Sequence, residues 1–293
     1  MRDRDWLAAR FEDERPQLRR IAYRLLGTVD EADDAVQEAW LRLSRTDESS
    51  VRNLGAWLTT VVGRVALDML RARRSRREEF VGSWMPEPIV TLDDRPGPED
   101  EALIAEGVGI ALYVVLETLS PAERLAFVLH DMFAMPFDEI GAMVGRSPEA
   151  ARQLASRARR RVQGANAEPD VALAEQQRIV DAFLAAAREG DFDALLEMLD
   201  PEVTLRVDAG PGSPLAREPI VGREPVLGEA RRWSALMPYG RPAIVNGAAG
   251  AVVGRPGRAG TPFAVVGFTV ANGRITALDF VVDPAKLARV TIG

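Results

Sequence analysis

Residues 137–162 read FDEIGAMVGRSPEAARQLASRARRRV, the most informative stretch of the chain. Its first part has apolar residues at helical spacing and stops at Gly145, so it predicts a short helix. A Ser-Pro-Glu sequence at 147–149 then opens a second helix, rich in arginine, that runs to about Val162. A short helix, a turn with glycine and a second helix with arginine and glutamine are typical of a helix-turn-helix that reads DNA.

Charge is distributed unevenly along the chain. The 293 residues include 37 basic and 44 acidic side chains, and the net charge of −7 by itself argues against a polyanion as partner. Screening confines charge effects to about 10 Å at 0.1 M salt, so local segments matter more than the sum. Residues 64–77 and 146–161 each have six arginines and one acid, whereas 30–38 has five acids and no base. The two basic segments are therefore candidate nucleic-acid-binding surfaces.

The composition excludes several classes of protein. The absence of cysteine rules out disulfide scaffolds, iron–sulfur clusters and thiol nucleophiles. The single histidine, His130, leaves little room for catalytic triads or histidine metal sites, and we expect it to be structural. No run approaches the 18 apolar residues of a membrane span. We expect a cytoplasmic protein with no catalytic residue, no metal site and no cofactor.

The hydrophobic pattern divides the chain into helical and β-rich parts. Helical spacing dominates residues 5–77, a Ser-Pro-Ala-Glu capping box at 120–123 opens a further helix, and residues 175–199 form an amphipathic stretch broken at Gly190. Residues 87–106 hold seven acids and several prolines, which predicts an acidic, extended linker.

Short β-like runs follow Pro201: 203–207, 243–245, 249–253, 263–270 and 275–282, the last two joined by Asn272-Gly273, a strong hairpin signal. We therefore expect a C-terminal α+β domain whose sheet is antiparallel.

Two segments in this order and spacing resemble the extracytoplasmic-function sigma factors of RNA polymerase. Residues 15–77, with DEADDAVQEAWLRL from Asp30 and WLTTVVGRVALDMLR from Trp57, look like the first domain of that family, and 116–162 looks like its fourth-region helix-turn-helix. Residues 175–290 resemble the SnoaL-like, NTF2-type cone that is fused to one subgroup.

Two short motifs also resemble that subgroup. WMPEP at 84–88 is close to the tryptophan–leucine–proline–glutamate–proline signature of its linker, and DPAKL at 283–287 is similar to the closing motif of its tail. Two departures are visible: the glycine-rich aspartate motif of the cone is only DAGPG at 208–212, and the usual asparagine of the promoter-melting helix is Arg64.

The resemblance implies a multi-domain protein, with two all-α sigma domains followed by an α+β cone. Its expected parts are sigma region 2 at 1–80, an acidic proline-rich linker at 81–108, the sigma region 4 helix-turn-helix at 109–165 and a SnoaL-like regulatory domain at 171–293.

It also implies two partners, core RNA polymerase and promoter DNA. Core polymerase would be bound through Asp33, Asp34, Gln37, Glu38 and Leu41. The −10 element would be contacted by Trp57, Thr60, Arg64, Arg71, Arg73, Arg74, Arg76 and Arg77. The −35 element would be contacted by Ser147, Pro148, Glu149, Arg152, Gln153, Ser156, Arg157, Arg159 and Arg160. Plainer interpretations remain open: a solvated acidic face, a solubilising helix end, and Trp57 as a core residue.

The cone is expected to regulate the factor by contacting the sigma domains and the linker, with a positive and an inhibitory contribution divided along the tail. A fused regulator has a high effective concentration, so neither a separate anti-sigma factor nor a membrane partner is expected. The residues expected in these regulatory contacts are Trp84, Pro86, Glu87, Pro88, Asp208, Asp283, Pro284, Lys286 and Leu287.

Two alternatives concern the cone. It could be a residual isomerase or hydrolase, which needs a pocket carboxylate with a raised pKa, and Asp208, Asp279 and Asp283 are the candidates. It could instead be the sensor of a DNA-binding regulator and bind an apolar small molecule, a role that a cone filled by its own side chains would contradict.

Overall fold

The computed structural model describes residues 2–46, 51, 53–76, 83–92, 109–165, 170–257, 260 and 262–290. The chain divides into two compact units. The first comprises Met1–Glu79 and Leu116–Arg161, and the second comprises Phe80–Val115 and Val162–Gly293. Residues 80–115, which separate the two parts of the first unit in sequence, therefore belong with the C-terminal domain.

Three helices begin the first unit: α1 (Arg2–Leu26), α2 (Val29–Leu43) and α3 (Leu54–Arg76). Their buried faces carry apolar residues every three or four positions, such as Leu18, Ile21 and Leu25 on α1. On α2 the alanines and Val36 face the core, so its acidic residues lie on the opposite side. The helical pattern predicted for residues 5–77 is confirmed where the structure describes them, at 5–46 and 53–76.

The rest of the first unit is the helix-turn-helix. Helix α4 (Gly109–Thr118) begins in the second unit and ends in the first. It is followed by α5 (Pro121–Phe127) with a π-helical turn (Val128–Met132), then α6 (Phe137–Val144) and α7 (Pro148–Gly164). The Ser120 side chain and Glu123 form the predicted capping box at the start of α5. Gly145 ends α6 with φ 69°, the left-handed conformation expected of a C-terminal cap.

The helix-turn-helix packs directly on α3 within this unit. Gly63 makes this approach feasible, because a Cβ there would lie 3.0 Å from the sulfur of Met143 on α6. Next to it, Arg64 Nη2 donates to the carbonyl oxygen of Ala142 at 3.4 Å. The two helical modules, which the sequence presents as separate domains, thus form one compact body.

The second unit is a curved mixed sheet with helices packed on it. Its helices are α8 (Leu173–Glu189), α9 (Phe192–Met198), α10 (Arg223–Arg232) and α11 (Pro284–Leu287), with a 3-10 turn at Ser234–Tyr239. Its strands are β1 (Val90–Thr91), β2 (Leu199–Asp208), β3 (Ile220–Val221), β4 (Gly240–Val245), β5 (Ala248–Val253), β6 (Ala264–Ala271) and β7 (Arg274–Val281). Among the described residues the sheet has the order β1-β4-β5-β6-β7-β2-β3.

Most neighbouring strands are antiparallel, including the β6–β7 hairpin through Asn272 and Gly273, both at positive φ as predicted. The expectation of an antiparallel sheet is wrong for one pair, because β2 lies parallel to β7, with Leu205 opposite Leu278. The long connection from β2 to β7 through β3–β6 lets the last strand return beside β2 in the same direction. The α+β class of this domain is confirmed.

The described part of the linker, residues 83–92, lies on this sheet. Val90 and Thr91 form β1 and pair with Val245 and Ile244 of β4. Met85 and Ile89 are buried, Met85 completely. The expectation of an extended chain fits residues 83–92, whereas the acids of residues 93–106 lie outside the described residues. No helix in the described ranges is both long and apolar enough to cross a membrane.

Candidate nucleic-acid interface

Helix α7 presents a broad exposed face. Local chemistry sets its start, because the Ser147 hydroxyl accepts from the backbone N–H of Ala150 and a proline follows at position 148. The buried side of the helix carries Leu154 and Ala158. The residues predicted for the −35 element that lie exposed are Ser147, Pro148, Glu149, Arg152, Gln153, Ser156, Arg157 and Arg160, while Arg159 is half-buried.

The arginines of α7 divide into two groups by their partners. Arg157 Nε donates to Glu123 of α5 at 2.9 Å, and Arg159 Nε donates to Asp131 at 2.8 Å. The neighbouring Arg161 also reaches Glu123, at 3.5 Å. These side chains tie α7 to the preceding helices, so part of the basic stripe is already paired within the protein.

Arg152, Gln153 and Arg160 occupy the other part of that face. The guanidinium of Arg152 stacks over the ring of Phe137 with its carbon 5.3 Å from the ring centre. Such stacking positions the planar group without using up its hydrogen-bond donors. These donors suit the bidentate contacts that base edges in the major groove accept.

Glu123 holds this arrangement electrostatically. Burial of its carboxyl by itself raises the pKa, but hydrogen bonds from Arg157 and Ser120 and the charge of Arg161 outweigh burial and lower the pKa from 4.5 to about 2. The residue is therefore an anion throughout the physiological range. Glu149 has a lowered pKa as well, because its own backbone N–H and the Ser147 hydroxyl bond to its carboxylate.

The residues predicted for the −10 element are spread along α3 in different environments. Trp57 is half-buried, Thr60 donates to the carbonyl of Ala56 at 2.9 Å, and Arg64 is exposed beside α6. Arg71, which pairs with Asp68 one turn earlier, and Arg74 are exposed. The side chain of Arg76, at the end of α3, and all of Arg77 lie outside the described residues.

Arg73 differs from its neighbours because it is used inside the first unit. It donates to the carbonyl of Leu26 at 2.9 Å, pairs with Glu31 of α2 and lies 3.7 Å from Glu117 of α4. Glu117 also pairs with the buried Arg124. In this conformation the guanidinium of Arg73 joins the two helical modules instead of facing solvent.

The acidic face of α2 is accessible. The candidate polymerase-binding residues occupy its outward side, with Asp33, Asp34, Gln37 and Leu41 exposed and Glu38 half-buried. Asp33 accepts from Arg19 Nε at 2.6 Å, and Glu38 accepts from Arg42 at 2.8 Å. Leu41, at 40% exposure, adds an apolar side chain to this acidic face.

In the second unit the linker and the C-terminal tail meet at Asp208, a cluster that we name the linker–tail cluster. Asp208 is buried and accepts from the backbone N–H of Met85 at 2.7 Å and of Gly210 at 3.1 Å. Lys286 Nζ donates to the Asp208 carboxylate and to the carbonyl of Met85, both at 2.6 Å. The same ammonium lies 4.5 Å from the ring centre of Trp84.

The remaining residues expected in regulatory contacts lie around this cluster. Asp283 caps α11 through the N–H of Ala285 at 2.9 Å, and Glu87 pairs with Arg289 at 3.4 Å. Pro86, Pro88 and Leu287 are buried, whereas Pro284 is exposed. Gly210 of the DAGPG motif lies close to Asp283: it has φ 77°, and a Cβ would lie 2.8 Å from the Asp283 carboxyl carbon.

The carboxylates considered for acid–base chemistry have structural partners. Asp208 holds Lys286, Asp283 caps α11, and Asp279 receives two hydrogen bonds from Arg206 at 2.6 and 3.0 Å. His130 lies in the other unit, where its ring stacks on Phe137 and its Nδ1 is 3.0 Å from the carbonyl oxygen of Met135. These contacts favour the structural interpretation of each residue.

The sequence patterns did not predict several contacts that position the candidate surfaces. No sequence motif indicates that Glu123 and Glu117 pair with arginines, because those arginines lie at least seven positions away. Asn246 was missed too: its side-chain oxygen accepts from Ile89 N–H at 3.3 Å, and its carbonyl accepts from Gly109 N–H at 3.3 Å. The dipeptide Asn246-Gly247 is the same hairpin signal as Asn272-Gly273 and could have been recognised.

Comparisons with known proteins agree with this geometry. Residues 10–76 match the family model for Sigma-70 region 2, and residues 110–162 match that for Sigma-70 region 4. The chain is similar to the ECF RNA polymerase sigma factor SigJ of Mycobacterium tuberculosis H37Rv, with 42% identity over 290 residues that cover 94% of this chain and 91% of that protein.

Two further similarities extend over nearly the whole chain. The probable ECF RNA polymerase sigma factor SigI of the same organism is 32% identical over 297 residues, 98% of this chain and 97% of that protein. The crystal structure of M. tuberculosis SigJ covers 95% of this chain and 97% of its own, with 39% identity and a TM-score of 0.77. The helical modules and the α+β domain are thus shared with these proteins in one order.

Proposed function

The chain belongs to the extracytoplasmic-function RNA polymerase sigma factors, which direct transcription initiation and are not enzymes, and from this premise we propose that its C-terminal domain regulates initiation by gripping the linker. Sigma factors bind core RNA polymerase and promoter DNA. The observation that carries the proposal is the linker–tail cluster, in which Lys286 bonds both Asp208 and the linker carbonyl of Met85.

Each exposed surface of the two sigma modules has its own partner. The exposed side of α2, with Asp33, Asp34, Gln37, Glu38 and Leu41, binds core polymerase, which locates the factor in the cytoplasm. The exposed arginines of α3 neutralise phosphates near the −10 element, and the face of α7 with Arg152, Gln153 and Arg160 contacts the −35 element. Exposure, charge and the family membership support this assignment.

When the C-terminal domain holds the linker, less chain is free to extend between the two DNA-binding modules; we call this free chain the tether. Ile89 and Gly109 both hydrogen-bond to Asn246, so the two ends of the segment between them lie close together while the linker is held. The chain that can then extend between the end of α3 and the start of α4 is the 13 peptide steps from Arg76 to Ile89. An extended chain of that length spans about 45 Å. With the linker released, 33 steps separate Arg76 from Gly109, about 110 Å.

These lengths matter because the two promoter elements are far apart. Elements centred near −35 and −10 are separated by roughly 25 base pairs, about 85 Å of B-form DNA at 3.4 Å per step. The held tether is shorter than that distance and the released tether is longer, so holding the linker restricts how far apart the two modules can lie. We therefore assign the inhibitory contribution of the tail to its grip on the linker.

A regulator built in this way has no need of a separate anti-sigma factor. The tail, the cone and the linker belong to one chain, so the linker meets its binding site at the high effective concentration of an intramolecular contact. A small change in the stability of the linker–tail cluster then shifts the balance between held and released linker.

Run-off transcription with core polymerase tests the proposal. Full-length protein, the variant Lys286→Met and a chain truncated before Asp283 are compared on one promoter, with Arg178→Met as a control that removes an exposed cation of α8 away from the linker and the tail. We expect higher output from Lys286→Met and from the truncation, and unchanged output from Arg178→Met. Unchanged output in both of the former variants, with each still folded, would contradict regulation through the linker.

A further inference from the structure

The chain contains a single lysine. Of the 37 lysine and arginine side chains, 36 are arginines, and the one lysine is Lys286 of the linker–tail cluster. The guanidinium of arginine is not deprotonated in proteins, whereas the amine of lysine loses its proton readily and is the usual target of acetylation. A reagent that acylates side-chain amines therefore has one target in this chain, and that target holds the linker.

The contacts of Lys286 depend on the charge of its ammonium. Nζ donates to the Asp208 carboxylate and to the carbonyl of Met85, both at 2.6 Å, and lies 4.5 Å from the ring centre of Trp84. The Asp208 side chain is fully buried, and 13% of the Lys286 side chain is exposed. Loss of one charge from such a pair leaves the other buried and uncompensated, which is costly. A reaction that neutralises Nζ would therefore weaken the hold on Met85 and Trp84 together.

We propose that Lys286 is an acetylation site, and that its reaction with an acyl phosphate keeps the linker released. This inference rests on the proposed grip on the linker and adds the chemistry that regulates it. Acetylation removes both the charge and the cation–π contact of a lysine. A small donor suits this site, because a local opening of the linker admits it without a docking surface for a second protein.

The reaction is an acyl transfer without oxidation or reduction. The neutral amine of Lys286 attacks the carbonyl carbon of the acyl phosphate and forms the new N–C bond. The C–O bond to the phosphate group breaks, and phosphate leaves with the electron pair of that bond. The proton that the nitrogen loses passes to water.

The held linker protects Lys286 from this reaction. An ammonium that donates to Asp208 has no lone pair for the attack, and Met85 and Trp84 of the linker contact it directly. Release of the linker removes the Met85 carbonyl and the Trp84 ring, so the ammonium can give its proton to water. The amide that forms has no charge and a single N–H, so it cannot restore both hydrogen bonds. Acetylation therefore favours the released linker.

The rate of acetylation tests this protection. The full chain is incubated with acetyl phosphate, and each modified residue is followed by mass spectrometry of its peptides. Arg178→Lys supplies an accessible reference amine on α8, where the arginine side chain is 74% exposed. We expect Lys286 to react at least about tenfold more slowly than this reference amine, because only the opened linker exposes it.

A second variant opens the linker without changing Lys286. Asn246→Gly removes the side-chain oxygen that accepts from the Ile89 N–H at 3.3 Å, and glycine adopts the φ of 52° at this position without strain. Loss of one hydrogen bond should raise the acetylation rate of Lys286 about fivefold and leave that of the reference amine unchanged.

Amide hydrogen exchange at Met85 tests the consequence of acetylation. In the full chain with acetyllysine at position 286, exchange there should accelerate about 100-fold, as expected for loss of a charge from a buried pair. The full chain with acetyllysine at position 178 is the matched control and should exchange as the parent does. In Lys286→Arg, which keeps a cation but has no amine to acetylate, treatment with acetyl phosphate should leave Met85 exchange unchanged.

Three results would overturn the proposal in chains that circular dichroism shows to be folded. Lys286 could stay unmodified in both the parent and Asn246→Gly while the reference amine is acetylated. It could react as fast as the reference amine, or acetyllysine at position 286 could leave Met85 exchange unchanged. These measurements need no promoter, so their failure is distinct from failure of the regulatory proposal, which the run-off output of Lys286→Met decides.

Discussion

Replacement of Lys286 by methionine should open the linker locally without unfolding the domain. The Lys286 ammonium is mostly buried, with 13% of its side chain exposed, and it bonds the fully buried Asp208 carboxylate and the carbonyl of Met85. Methionine keeps the aliphatic volume but removes both bonds. Asp208 then retains only the N–H groups of Met85 and Gly210 of the partners described for its carboxylate.

The size of the effect follows from burial. Removal of one partner from a buried ion pair costs about 3–5 kcal/mol, and the partial exposure of Lys286 places it near the lower value. About 3 kcal/mol corresponds to a change of about 150-fold in an opening equilibrium. In the pair of Arg289 with the buried Glu87, the arginine side chain is 48% exposed, so solvent screens the pair and it should contribute about 1 kcal/mol.

Amide hydrogen exchange at Met85 measures this opening directly, because its N–H bonds to Asp208 at 2.7 Å. Exchange there should accelerate about 100-fold in Lys286→Met and by less than about fivefold in Arg289→Met. Amides in the centre of β6, which pairs with a strand on each side, serve as an internal reference for global unfolding. Met85 exchange that is unchanged in Lys286→Met would refute the linker–tail cluster as the grip on the linker.

Three further predictions concern the first unit. The hydrogen bonds and charges that lower the pKa of Glu123 stabilise the folded protein fully above pH 4.5. This stabilisation is lost as the pH falls towards 2. Glu123→Gln should therefore destabilise the protein by about 2 kcal/mol at pH 7, after solvent screening at the exposed Arg157, and by much less near pH 2, as urea unfolding would measure. Gln153→Ala should weaken −35 DNA binding about tenfold with little loss of stability, whereas Arg157→Ala should also lower stability; gel-shift titrations and urea unfolding separate the two. Leu41→Glu should weaken association with core polymerase at least fivefold in a pull-down titration and leave −35 binding unchanged.

Each of these predictions has a result that would contradict it. A pH-independent effect of Glu123→Gln would show that the ionised carboxylate adds no stability. Equal DNA affinities of Gln153→Ala and the parent chain would remove that residue from the −35 contact. Core polymerase binding that survives Leu41→Glu would place the polymerase surface elsewhere than on the exposed side of α2.

Features set by neighbouring residues could be predicted from the sequence. The capping box at Ser120, the glycine that ends α6 and the Asn272-Gly273 hairpin each depend on the chemistry of a few adjacent positions. Turn and cap residues act through local hydrogen bonds and allowed φ values, so their meaning survives any tertiary context. The order of two helical sigma modules and an α+β domain followed from these signals and from the family resemblance.

Features set by contacts between distant residues could not be predicted. The direction of β2 relative to β7 depends on which strands pair, and Leu205 meets Leu278 across most of the domain's length. The linker bond from Met85 to Asp208 joins positions 123 residues apart. The division of the α7 arginines depends on acids of other helices, and spacing along α7 contains no information about them.

The pairing of Arg73 with Glu31 and Glu117 bears on how the free factor avoids the rest of the genome. Chromosomal DNA offers on the order of 10⁶ or more competing sites, and non-specific affinity rises steeply with each cation that displaces a counterion from a phosphate. A factor that neutralises an arginine with its own carboxylates while its modules are packed together has fewer charges to give to random DNA. Separation of the modules would take Glu117 away with α4 and leave Arg73 with Glu31 alone, so we expect the packed conformation to bind random DNA less tightly than the separated one.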